Sequence, residues 1–189
     1  MHIAPTMDLW TEINPAKFEN PTLSFLHEYW ANKRGDRIMP ARRDIVPSQL
    51  REHLGWIMLV DVLPGFSDFR YRLIGTLIRE YFLMDVTGKT VSEAFASNHP
   101  DVAKGVAAAF RKCARDKVIV RSWGDGNWFG EGLEKFDSVH MPLSDDGETV
   151  STIFHAFVFD RDEVLMARQI ARVHGSKLPG TPVLNRAPI

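Results

Sequence analysis

Seven histidines and one cysteine are the places where this chain of 189 residues could hold a metal or move a proton. Zinc needs several such side chains at close spacing, as in H-x-x-x-H, H-E-x-x-H or paired cysteines. None of the histidines forms such a pair and Cys113 stands alone, so no metal site is expected. His27 precedes Glu28 on a helical stretch and reads as surface. His140 and His155 fall on two strand-like segments joined by SDDGE, and a hairpin there would bring them near each other. Asp137 is three residues from His140, so those two project to opposite faces of a strand. An Asp–His pair for general acid–base work would have to be Asp137 with His155, within about 3 Å of the proton moved, although nothing in the spacing demands it.

Two arginines pose a separate question. In FRYRLIGT, Phe69, Tyr71 and Leu73 point one way and Arg70 and Arg72 the other. An arginine on an inner strand needs a carboxylate or carbonyl, because a buried unpaired charge is prohibitively costly. Asp61 and Asp137 are the expected partners, in a structural ion pair or at a snorkelling rim. The sharper reading makes Arg70, Arg72 and Asp61 an anion-binding or partner-docking site. Cys113 follows Val102, Val106 and Phe110 along one side of a helix and reads as a small buried hydrophobe.

Certain elements must position these residues. Lys+Arg 23 against Asp+Glu 24 gives no basic excess for nucleic acid, and Arg34, Arg37, Arg42 and Arg43 read as a solvated loop. No apolar run is long enough to span a membrane, and one cysteine suits a reducing compartment, so a soluble cytoplasmic protein is expected. Residues 1–19 read as an irregular lead-in around Pro5 and Pro15. Asn20 caps a helix with Pro21 at its first position, predicted over 20–33 with Leu23, Leu26 and Trp30 on its apolar face. WIMLVDV and FRYRLI form a hairpin around Pro64-Gly65, short helices follow Thr76 and surround Ser92 to Phe95, and a longer one runs from Pro100 to Asp116. KVIVRSW, KFDSVHMPL and TVSTIFHAFVFD complete five strands, the last two joined through Asp146-Gly147. Apolar residues on both faces of the last strand require cover on both sides. A terminal helix is predicted over 161–174, with Met166, Ile170 and Val173 in a stripe, followed by a mobile tail over 175–189.

The order strand, strand, short helices, three strands resembles the PAS domain, here spanning 20–160 as an α+β fold. Its five-stranded antiparallel sheet would carry short helices on one face and the N-terminal helix on the other. The wording resembles a bacterial family of largely free-standing PAS-type proteins. Tyr29-Trp30, Pro40-Ala41-Arg42, Asp44, Pro47, Leu59 to Val62, Phe69 to Leu73, Gly75-Thr76, Asp85, Thr87-Gly88 and Pro142 to Gly147 carry the likeness. It implies a sensory or regulatory module, not an enzyme, acting through its terminal helices. Some PAS proteins hold haem through a histidine on the long helix, but this one has only His99, at or before its start. The flavin-sensing subclass carries an Asn-Cys-Arg-Phe segment that is absent here. Neither haem nor flavin is therefore expected.

A ligand pocket would draw on Tyr71, Leu73, Tyr81, Phe82, Val106, Phe110, Val118, Val120, Phe154 and Val158, residues that would equally fill a plain core. The interaction surface would be Leu23, Leu26, Trp30, Met166, Ile170 and Val173. The partners expected are a second copy in a homodimer, a signalling protein such as a kinase or regulator, and a small molecule. Nucleic acid and membrane are not expected. A small enzyme using Asp137 and His155, and a ligand-free scaffold, are the alternatives.

Overall fold

A computed structural model of the chain describes residues 9–82, 85–95, 100–126 and 133–161. The Met166, Ile170 and Val173 stripe, the terminal helix, the tail and His99 lie outside the described residues. Six antiparallel strands form one sheet in the order β1-β4-β5-β6-β2-β3. They are β1 (Leu9–Ile13), β2 (Ile57–Val62), β3 (Phe69–Ile74), β4 (Val120–Asp125), β5 (Leu133–Leu143) and β6 (Thr152–Arg161). The helices are α1 (Pro21–Arg34), α2 (Thr76–Phe82), α3 (Val91–Phe95) and α4 (Pro100–Asp116).

The mixed fold, with helices on both faces, matches the expectation, and β1 is an addition to it. The lead-in is not irregular throughout. LWTEI gains its ladder by pairing with β4, Trp10 opposite Trp123 and Glu12 opposite Arg121. Asn14, in the left-handed region at φ 49°, then turns the chain away, and its Oδ1 accepts from the Ile119 amide at 3.0 Å. A five-residue edge strand carries too short an alternation to stand out from its surroundings.

The α1 start is the predicted cap, with Asn20 Oδ1 accepting from the amides of Thr22 and Leu23 at 2.9 and 3.3 Å. Leu23, Leu26 and Trp30 are buried, and Trp30 Nε1 donates to the Pro142 carbonyl at 2.9 Å, tying α1 to β5. We call this the outer face. α4 lies across β4, β5 and β6 on the opposite, inner face, with Phe110 and Cys113 buried. The stretch after Pro47 winds as two 3-10 turns, Pro47–Gln49 and Arg51–Trp56. The β5–β6 turn uses Gly147 at φ 83°, the left-handed position that Asp146-Gly147 predicts.

Candidate functional site

Strand register decides which side chains share a face, because directly opposed residues project the same way and neighbours alternate. His140 of β5 is opposed to His155 of β6 and Val120 of β4. Ser138 is opposed to Ser122 and Phe157. These residues make the inner face together with Phe69 and Tyr71 of β3, and Phe110 of α4 packs over them. Its ring centroid lies 5.5 Å from that of Phe69, 6.4 Å from Tyr71, 5.1 Å from His140 and 5.4 Å from His155.

At the centre of this layer are two fully enclosed imidazoles. Their Nδ1 atoms are 2.6 Å apart, and His140 Nε2 is 3.1 Å from Ser122 Oγ. Ser138 Oγ donates to the Ser122 carbonyl at 2.9 Å, and the Cys113 thiol donates to the His140 carbonyl at 3.5 Å. Desolvation disfavours the imidazolium. It pushes His140 down to about 3 and His155 well below its ordinary value, the latter further opposed by charge on His140. Both rings are neutral at pH 7, and the Nδ1 contact then holds one shared proton. The Cys113 thiol and Tyr71 phenol are pushed upward by burial, Tyr71 also by the charge of Asp68, so they are neutral as well.

Two polar atoms of this layer, His155 Nε2 and Tyr71 Oη, make no hydrogen bond among the described residues, although their side chains are 3% and 5% exposed. An unpartnered buried group costs about 1–3 kcal/mol. A core selected for stability alone would carry apolar rings here.

The Asp137–His155 pair does not form. His155 is opposed to His140, so Asp137, three residues along β5, lies on the outer face. There Asp137 accepts two hydrogen bonds from Arg121, at 3.0 and 2.8 Å. Arg121 also stacks over Trp123 and Phe18 at 4.9 and 5.4 Å. The outer face holds Arg70 and Arg72 too. Arg72 pairs with Asp61 at 2.7 Å, and Arg70 is exposed across from Asp61 in the ladder.

A PAS domain family model matches residues 18–158. The chain belongs to the PAS domain family. No curated protein matches it. Among solved structures, one titled an RNA-binding Light-Oxygen-Voltage receptor is similar at 12% identity and a TM-score of 0.48. That alignment covers 92% of this chain and 45% of the other, so the chain spans under half of that receptor.

Within this PAS domain the residues expected to line a pocket are divided. Tyr71, Phe110 and Val120 are buried on the inner face, and Val106 and Val118 are half-buried against the core. Phe154 and Val158 lie on the outer face, opposed to Met141 and Asp137. Leu73 is 44% exposed after the irregularity between Leu59 and Val60 shifts the pairing. Tyr81 and Phe82 belong to α2, but their side chains lie outside the described residues. Of the expected interaction surface, Leu23, Leu26 and Trp30 are spent inside the chain's own core, because the sheet needs that apolar face of α1 as its cover. Phe25 is the exposed aromatic of the helix, stacked on His53 at 4.3 Å.

The hairpin joining the last two strands already brings His140 and His155 near each other in the sequence, but the sequence alone singles out neither them as the centre of this layer nor Ser122 beside them. A signal was present. Counting outward from the SDDGE turn, with Leu143 opposed to Thr152, puts His140 directly across from His155.

Proposed function

We propose that this PAS domain is a sensory or regulatory module, not an enzyme, that binds a small molecule at its inner face. Occupancy is passed to a second copy or a signalling protein through the terminal elements. The observation that carries the reading is the neutral polar layer of Ser122, His140, His155 and Tyr71 gathered under Phe110 in a domain of a typically sensory family. A ligand shifts an equilibrium only by its differential affinity for two packings, and α4 is the element that meets this layer directly. The enzymatic alternative has lost its Asp–His pair to the strand register. Among the described residues no helix is long and apolar enough to cross a membrane.

Native mass spectrometry of the freshly purified full chain, against its denatured mass, tests the reading. A non-covalent adduct that departs on denaturation is expected. Adduct-free protein whose amide exchange is unmoved by extracts of its host would overturn it.

A further inference from the structure

The three polar side chains Ser122, His140 and His155 form a chain with two proton directions. In one, the Ser122 hydroxyl donates to His140 Nε2, His140 Nδ1–H donates to His155 Nδ1, and His155 carries its proton on Nε2. In the other, His140 Nε2–H donates to Ser122 Oγ, His155 Nδ1–H donates to His140 Nδ1, and His155 Nε2 is a bare acceptor. Each arrangement keeps one proton on each imidazole, one on the Ser122 hydroxyl and no net charge, and passing from the first to the second gives the His155 Nε2 proton to solvent water and returns one from water to Ser122 while the contacts at 3.1 and 2.6 Å reverse direction. The free end of the chain is His155 Nε2. Tyr71 Oη, a second enclosed polar atom, belongs to a ring that meets the same Phe110.

Resting on the sensory reading, we propose that the inner face takes one small uncharged molecule that hydrogen-bonds His155 Nε2 and Tyr71 Oη from an apolar frame packed on Phe110. Its donor or acceptor character sets the proton direction as far as Ser122. The frame is apolar because Phe69, Phe110 and Phe157 surround the polar atoms. Absence of charge follows from the neighbours. Arg70, Arg72 and Arg121 lie on the outer face, and Arg111 of α4 is turned to the Phe66 carbonyl and the Phe69 ring. Asp68, whose charge reaches Tyr71, is engaged by Thr90 and Ser92 and would oppose an anion. An anionic ligand would enter this layer with no described counter-ion, and a cation would find only Asp68, whose carboxylate is already engaged by Thr90 and Ser92.

The test uses the full chain with nitrogen-15 histidine, following the ring nitrogens by NMR during titration with phenol, anisole, toluene and benzoate. Phenol is expected to shift both His140 and His155 and to bind about tenfold more tightly than toluene, the advantage of a buried hydrogen bond. Anisole, which only accepts, should place the proton on His155 Nε2. Tyr71→Phe, which removes one oxygen and keeps the ring, should erase several-fold of the phenol preference and leave toluene unchanged. Equal affinity for phenol and toluene would overturn the proposal. So would tighter binding of benzoate, or ring signals unmoved by every probe, as for a layer that holds only water. An adduct in the native spectrum with unmoved ring signals would refute this placement and leave the sensory reading standing; failure of both would remove both.

Discussion

Arg72 and Arg121 look alike in the sequence, each a cation between apolar or small residues on a strand, yet their surroundings separate them. The Arg72 side chain is 60% exposed, and its bond to Asp61 competes with water at high dielectric. Arg121 and Asp137 are each 20% exposed, joined by two parallel bonds, with Glu12 3.8 Å away and two aromatic rings beneath the guanidinium. Arg72→Ala should therefore change stability by no more than about 0.5 kcal/mol, while Arg121→Ala should cost about 2–3 kcal/mol, since it strands Asp137 and strips Phe18 and Trp123 of their cover. Urea denaturation of the two variants decides this, with the midpoint moving and the slope unchanged. Equal losses would mean that burial does not govern the worth of these pairs. The arginines of FRYRLIGT are outer-face residues of β3, and the more deeply held cation belongs to β4. Nothing in KVIVRSW marks Arg121, because its environment is assembled from Glu12 of β1, Asp137 of β5 and Phe18 in the stretch leading into α1, all distant in the chain.

Elements with local chemical signals were legible, and those defined only by a partner were not. Asn20-Pro21 and Asp146-Gly147 state their roles in two residues each, a cap and a left-handed turn. β1 exists because β4 has an open edge, and the inner face of the sheet emerges only when α4 is laid on it. This is why Phe154 and Val158, apolar like their neighbours, could not be assigned to a side from periodicity alone. The link from β3 to α2 shows the same dependence on a distant partner. Gly75 donates to the Ile57 carbonyl at 2.8 Å, and a Cβ placed on it would stand 2.3 Å from the Gly55 oxygen and 2.5 Å from that of Leu54. Those are backbone atoms held by the 3-10 turn, so they cannot rotate aside. At Gly147 a Cβ meets nothing within 4 Å, and only the left-handed backbone at φ +83° resists it. Gly147→Ala should accordingly cost about 1 kcal/mol and Gly75→Ala distinctly more, about 3 kcal/mol, because it must displace the turn or the strand. Thermal unfolding in parallel would reveal the order, and a Gly75→Ala protein as stable as Gly147→Ala would refute the close approach.

For the molecule as a whole, the histidine pair ties folding to pH. In the unfolded chain each imidazole titrates near 6.5, whereas in the fold desolvation holds His140 at about 3 and His155 well below 6.5. Between those values the unfolded state binds more protons, so stability rises with pH across the window and is lost as pH falls from about 6.5 toward 3. The groups facing the pair, Tyr71 from β3 and Cys113 from α4, stay neutral there and do not offset the effect. Two imidazoles excluded from protonation cost about 4 kcal/mol at pH 5 relative to pH 7.5, a large share of the roughly 5–15 kcal/mol that holds a domain together. His27, half-buried and also lowered by desolvation, adds in the same direction. The carboxyls of Asp44 and Asp85, held below their usual range by hydrogen bonds, enter only nearer pH 4. Urea midpoints of the wild type and His27→Gln at pH 7.5, 6.5 and 5.5 separate these contributions. A steep fall that survives His27→Gln assigns it to the buried pair. A flat profile from pH 7.5 to 5.5 would mean that the two rings accept protons inside the fold, and the neutral layer on which ligand choice depends would not exist.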